Sequence, residues 1–469
     1  MKVCLIEPSR VAKGEIAQDC FPPVTLLWIA TAIREAGHEV LVLDQTGLGL
    51  EDRALLDMAA HWGPDLLGIN VKSRVLRQAY ALSELAGILL PGVRQFVLGR
   101  HVTFMPDAVV AEFGQVAYAV RGEAEEPVLR LIDAVAGGTP FEAVPGLVWI
   151  DARTGGLRRN GPDYPQADLL RLGLPARDLL RVEYQRKCYY MLLHRGRPVD
   201  KLITTRGFTW DAGYARPALS EMRFRPVEHL LDELEQMASL GINHVAIDDS
   251  AFAMDEDRVN RFFEDIVRAR FPLTFQIKAR ALDVTEEMLG LAFKAGVRQV
   301  SYAMESGNQK ILDRLKLGVR LEDYTRAIKL TKAAGILCHT EWNLGFPGET
   351  PETVMKTINF VVEHRPNSMA LYTLTPYPET EVYRDAKDKG KLVGDWSVHM
   401  TDFPWIQLPW VNSRRDLDAY TRLGNRYVYF RPHYLWNLAK LLWNDSNLRL
   451  AGYAWQQAKR ALSRIPERT

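Results

Sequence analysis

The strongest constraint on this chain is an alternation that occurs twice. Apolar runs of strand length trade places with amphipathic runs of helix length, first over residues 1–140 and again from residue 201. In the first region KVCLIEP, HEVLVLD, DLLGINV, RQFVLG and VAYAVRG read as strands. TLLWIATAIREAG, ALLDMAAHWG and RQAYALSELAGILL read as helices between them. Apolar strands separated by helices specify a parallel sheet with crossover connections, buried on both faces. Residues 1–140 therefore predict a doubly wound, Rossmann-like α/β domain whose ligand sits at the carboxyl ends of the strands.

The second alternation has six strand candidates: KLITT, HVAID, LTFQIKA, QVSYAM, LCHTEWNL and SMALYTL. PVEHLLDELEQMASLG and EDYTRAIKLTKAAG are helical stretches among them. Residues 201–395 thus predict a partial (β/α) TIM-like barrel, with chemistry at the C-terminal strand ends. Residues 141–200, with a hairpin-like VPGLVWID and a Pro- and Arg-rich stretch, read as a linker region. Residues 396–469 are basic and aromatic-rich and read as a C-terminal helical cap. The fold class is α/β.

Composition narrows the function. The chain has 469 residues, too many for one ordinary core. A formal net charge of +1 offers no field for nucleic acid. Four scattered cysteines, Cys4, Cys20, Cys188 and Cys338, contain no C-x-x-C pair, which argues against a disulfide framework and a zinc ribbon. Sparse cysteine fits a reducing cytoplasm. No uncharged apolar run approaches the ~18 residues that mark a spanning helix, so no transmembrane segment is expected. The N-terminus also lacks the apolar core of a signal peptide.

Several residues invite chemistry. The strand LCHTEWN puts His339 and Glu341 on one face with Asn343. Facing a barrel lumen, His339 and Glu341 form an acid–base pair; a structural polar layer is the competing account. Two lone ligand-type residues are too few for a metal site. Asp248 and Asp249 close the HVAIDD strand, with helix capping as the alternative role. The stretch TTRGFTWDAGYARP follows the first barrel strand. Its Phe208, Ala212 and Ala215 hold the spacing that suits three cysteines around one iron–sulfur cluster, yet none is cysteine.

Set in order, these segments resemble the cobalamin-binding radical S-adenosylmethionine (SAM) enzymes, the group that includes class B methylases and cyclases. LGRHVTFMPD is similar to G-G-P-H-A-T, and RGEAEEPVL to R-G-E-G-E. TTRGFTWDAGYA resembles T-S-R-G-C-P-Y-x-C-x-F-C. VAIDDSAF, AMESGNQKILDRLKLG, NLGFPGETPET and LTPYPETEVY follow at matching order. The resemblance runs from residue 1 to about 435. It implies a cobalamin site built from Asn70, Lys72, Ser73, Arg74, Leu98, Gly99, His101, Thr103, Gly122, Glu123 and Glu125. D-x-H-x-x-G is absent, so no histidine is nominated as a cobalt ligand; Lys72, Ser73 or Arg74 is expected beside the lower corrin face, where a cation favours polar methyl transfer. For SAM or substrate it implies Asp248, Asp249, Arg280, Glu305, Ser306 and Gly345, with Glu305 alternatively salt-bridged to Lys278 or Arg280.

The departure at Phe208, Ala212 and Ala215 removes every thiolate that a 4Fe–4S cluster needs. The resulting expectation is a cobalamin-dependent, methyltransferase-like enzyme of specialised metabolism acting on a small molecule. It has no cluster, makes no radical, and leaves SAM use open. A barrel repurposed for acid–base cyclisation or rearrangement and a non-catalytic partner protein are the alternatives.

Overall fold

The structure, a computed structural model, describes residues 1–9, 19–151, 153–191, 198–207 and 221–436. The chain divides into two compact units. Unit 1 takes residues 1–189 together with residues 221–223 and Trp396–Thr401. Unit 2 takes the barrel region and the later helices.

Unit 1 is built on five parallel strands. These are β1 (Lys2–Glu7), β2 (Glu39–Asp44), β3 (Leu66–Asn70), β4 (Arg94–Leu98) and β5 (Val116–Val120), in spatial order β2-β1-β3-β4-β5. β6 (Leu147–Ile150) and β7 (Leu157–Arg159) extend the sheet antiparallel as a hairpin. Helices Val24–Glu35, Asp52–Trp62, Leu76–Leu89 and Glu125–Val135 lie between the parallel strands or follow them. Their apolar residues explain this: Leu55, Leu56 and Leu82 pack with Cys4, Ile6 and Leu67, all buried. The 2-1-3-4-5 order places a topological switch point between β1 and β3, where the connections leave in opposite directions.

Unit 2 carries six parallel strands in chain order. They are β8 (Val199–Leu202), β9 (His244–Ile247), β10 (Thr274–Ala279), β11 (Val297–Glu305), β12 (Leu337–Leu344) and β13 (Ser368–Thr373). Period-two alternation sorts each strand between a helix-facing side and a lumen side. On β10, Phe275, Ile277 and Ala279 are buried while Gln276 and Lys278 are half-buried. On β12 the helix-facing Trp342 is fully buried, its ring 6.0 Å from Tyr324 and 5.7 Å from Phe360. An open barrel has a free edge at β13. Helix Arg414–Tyr429 covers it: the Tyr429 hydroxyl accepts from the Met369 N–H at 3.1 Å and donates to the Met369 carbonyl, and Asn425 Nδ2 donates to the Leu371 carbonyl at 3.3 Å. Pairing the edge with side chains blocks its use by another strand.

Trp342 fills volume between β12 and two helices, so Trp342→Ala is expected to cost about 3–5 kcal/mol, read by denaturant unfolding. An unchanged midpoint would contradict this packing.

Candidate active site

At the carboxyl edge of the unit 1 sheet, Glu7 ends β1 almost fully buried and accepts two bonds. Asn70 Nδ2 donates to it at 2.6 Å and Lys72 Nζ at 2.6 Å. A single carboxylate at the switch point thereby orients the end of β3 and the loop after it. Lys72 and Arg74 are exposed on that loop, while Ser73 between them is buried and bonded to His101 Nδ1 at 2.9 Å. Gly99, after Leu98 at the end of β4, adopts φ 108°, and a Cβ there would run into Asn70 Oδ1 and the Val71 carbonyl. Only glycine allows this approach of two strand-end loops. Thr103 Oγ1 accepts from the Gly122 N–H at 3.0 Å, which ties the β4 and β5 loops together.

Other residues expected at this edge face inward. Gly122 has φ 73°, and a Cβ there would meet Pro165 at 2.6 Å. Glu123 is buried, accepts from the Ala167 N–H at 2.8 Å and pairs with Arg223. Glu125 is buried at the start of helix Glu125–Val135.

In unit 2 the strand register assembles a polar layer across the lumen. Lys278, Ser301, His339 and Ser368 stand opposite one another on β10 to β13. Asp248, just past β9, extends the row: its carboxylate lies 2.9 Å from Lys278 and 2.5 Å from Lys201. One layer further, Ala303, Glu341 and Ala370 align. Glu341 is 3.8 Å from Lys278 and stands between two alanines. His339 Nδ1 bonds Ser368 Oγ at 2.8 Å, and no hydrogen bond joins His339 to Glu341.

The electrostatics follow from these contacts. Burial raises the Asp248 carboxyl, but Lys201 and Lys278 outweigh it and hold it below the usual carboxylate range. Burial lowers Lys278, yet Asp248 and Glu341 reverse the sign, so it stays cationic. Burial pushes His339 down, Glu341 only partly opposing it and Lys278 adding to it. His339 is therefore neutral at pH 7. Burial likewise raises Glu349 to about 7, although it accepts from the Gly345 and Phe346 N–H groups at 2.6 and 3.3 Å.

The remaining expected residues separate. Asp249 caps no helix with its side chain; its Oδ2 accepts from the N–H and hydroxyl of both Thr204 and Thr205, at 2.6 to 3.1 Å. It anchors the segment just before Phe208. Arg280 is held by Asp283 through two bonds of 2.6 and 2.5 Å. Glu305 takes φ 56° at a bulge and accepts from Asn343 Nδ2 at 2.7 Å; among the described residues the alternative salt bridge to Lys278 or Arg280 is not formed. Ser306 is fully buried, 3.3 Å from Thr357 Oγ1. Gly345 (φ 112°) faces Leu374 and Leu417. Phe208, Ala212 and Ala215 lie outside the described residues.

Glu7, Lys201 and Ser368 went unnoticed in the sequence. Glu7 ends its strand, Ser368 begins its strand, and Lys201 follows Asp200 inside a four-residue strand, patterns too common to single them out. Of the cysteines, Cys4 and Cys338 are buried in strands, which pushes both thiols up to about 12, and Cys20 is buried as well. Among the described residues no group of three His, Cys, Asp or Glu is set to hold a metal ion, and no helix is long and apolar enough to cross a membrane.

The model of the B12 binding domain matches residues 10–132, and that of the radical SAM superfamily matches residues 207–361. The chain pairs a B12-binding domain with a radical SAM domain. It is 24% identical over 442 residues to an uncharacterized methyltransferase of Pyrococcus horikoshii, covering 93% of this chain and 94% of that one. It is 24% identical to the cytidylyl-2-hydroxyethylphosphonate methyltransferase of Streptomyces wedmorensis, covering 83% and 82%. The radical SAM methyltransferase TsrM of Kitasatospora setae, solved with tryptophan substrate and a SAM analogue, shares the fold. The TM-score is 0.71 at 20% identity, covering 98% and 99%.

The two implied metal groups fare differently against these residues. The unit 1 edge carries features that suit a corrin: the exposed cations Lys72 and Arg74 stand on the loop after β3 beside the switch point, where Gly99 lets the β4 loop close against that loop. An iron–sulfur cluster requires thiolates, and positions 208, 212 and 215 supply a phenyl ring and two methyl groups.

Glu349 is 1% exposed, and its folded value lies above the unfolded one. The native state therefore holds the extra proton between about pH 4.5 and 7, and stability falls as pH rises through that window. Glu349→Gln should remove this dependence, changing its stability relative to wild type by about 3 kcal/mol between pH 4.5 and 8 in urea titrations. A constant difference would contradict the shift.

Proposed function

We propose that this chain is a cobalamin-dependent methyltransferase of small-molecule metabolism that works without an iron–sulfur cluster and without a SAM-derived radical. The observation that carries the reading is the pairing of a B12-binding domain with a radical SAM domain whose three ligand positions are Phe208, Ala212 and Ala215. Relatives named as methyltransferases support the reaction class. TsrM has been solved with cobalamin and a [4Fe-4S] cluster bound, and this chain departs from it at the thiolates.

Bound cobalamin supplies a cobalt atom able to carry and release a methyl group. On unit 1, Lys72 and Arg74 are the cations beside it, fixed by Glu7 and by the buried Ser73. Gly99 and Thr103 shape the neighbouring loops. In unit 2, the substrate is held over the layer containing Asp248, Lys278 and His339, in the room left by Ala303 and Ala370. Burial favours neutral His339, and in the tautomer whose Nδ1–H donates to Ser368 its Nε2 is the acceptor for a proton leaving the substrate nucleophile. Glu341 holds Lys278 and orients a polar group of the substrate. Without thiolates to chelate through, SAM binding rests on Arg280 and the strand-end loops.

Anaerobic reconstitution tests the reading. Wild type is expected to take hydroxocobalamin, seen as corrin bands that co-purify with protein, and to retain no iron or sulfide. Phe208→Cys, Ala212→Cys and Ala215→Cys together should restore iron and sulfide uptake. Stoichiometric iron in wild type would sink the cluster-free reading. A chain that takes no corrin favours acid–base chemistry confined to the barrel.

A further inference from the structure

We propose that Trp396–Thr401 is a detached part of the cobalamin-binding unit and that Trp396 is a positioning residue for corrin binding, acting through His101. This rests on the cobalamin reading above. The segment lies more than two hundred residues beyond the end of the B12-binding match at residue 132. It nevertheless belongs to the compact unit formed by residues 1–189.

Its attachment is specific. Val398 is buried in one hydrophobic cluster with Ile69, Val71, Leu76 and Val97, the residues that end β3 and β4 and begin the next helix. The Val398 N–H donates to Glu112 Oε2 at 2.8 Å. The His399 ring meets Tyr80 edge-on at 6.3 Å. Trp396, 2% exposed, sets its ring edge-on to His101 at 5.9 Å and 63°.

His101 is itself 1% exposed, so it does not reach a ligand in solvent directly. It acts on Ser73, whose hydroxyl it holds at 2.9 Å. Ser73 is the buried hinge between Lys72 and Arg74, the two exposed cations at the switch point. The chain of contacts therefore runs from Trp396 to the His101 ring, to Ser73, to the loop that presents both cations. Aromatic edge contacts fix ring orientation. With the indole removed, the imidazole has room to rotate and its bond to Ser73 is lost. The loop then samples orientations in which Lys72 and Arg74 no longer meet the same ligand, and part of the binding energy goes into reordering it.

The test is absorbance titration of the full chain with hydroxocobalamin, alongside thermal unfolding. Trp396→Ala is expected to weaken corrin binding about tenfold or more, which corresponds to 1.4 kcal/mol or more. Trp396→Phe keeps an aromatic edge and should bind within about threefold of wild type, a rescue that a purely space-filling role does not predict. Trp396→Leu fills volume without an aromatic edge and should bind as weakly as the alanine variant; it also serves if the alanine variant does not fold. Trp342→Ala, in the core of unit 2 and away from His101, should lower the melting temperature while leaving corrin affinity unchanged. Wild-type affinity in Trp396→Leu, or equal loss in Trp342→Ala and Trp396→Ala, overturns the proposal. A wild-type chain that takes no corrin overturns the cobalamin reading and this one with it, and the wild-type titration separates that failure from the others.

Discussion

Parallel strands cannot be joined by a tight turn. Each must be followed by a return across the sheet, and here the return is usually a helix. Both units obey this rule. Every functional loop in a unit consequently leaves from the same edge of its sheet, and polar side chains collect there because the strand bodies are buried. In unit 1, Glu7, Asn70, Gly99 and Gly122 come from four separate strand ends, yet hydrogen bonds and close backbone approach join their loops, Thr103 of the β4 loop bonding Gly122. The core beneath is apolar and continuous.

Unit 2 adds charge to this geometry. A barrel lumen is usually filled by branched apolar side chains. This one carries Asp248 between Lys201 and Lys278, with Glu341 on the far side of Lys278. Each charge has an opposite neighbour, which offsets the cost of removing it from water. The arrangement keeps Asp248 ionised, Lys278 protonated and His339 neutral, so a proton acceptor stands beside a fixed cation. Alanines at 303 and 370 leave the neighbouring layer uncrowded.

The segment that leads to positions 208, 212 and 215 is strongly held. Asp249 satisfies both backbone N–H groups and both hydroxyls of Thr204 and Thr205. Arg258 adds a bond to the Thr204 carbonyl at 3.1 Å. A carboxylate used in this way is a structural anchor: burial raises its proton affinity, and its bonds point back to the chain rather than to a ligand. Thr204 and Thr205 are thus fixed in place just before Phe208, the first of the three positions that the sequence compares with cluster ligands.

The two alternations of apolar strand and amphipathic helix were enough to specify two parallel α/β units, because burial on both faces demands that pattern. The segment order pointed to cobalamin, and position 208 onward argued against thiolate ligation without any coordinates. The lumen face of β12 was also legible, since strand alternation alone puts His339 and Glu341 together. Partnership was not. That Lys278 serves Asp248 and Glu341, that Glu305 meets Asn343, and that Ser306 is packed away depend on register between strands far apart in sequence. The place of Trp396 beside His101 was the least legible, because nothing local marks residues 396–401 as part of a sheet unit that ends two hundred residues earlier. Sequence periodicity reports which face of an element is buried; only the tertiary fold decides which distant side chain shares that burial, because long-range packing has no period.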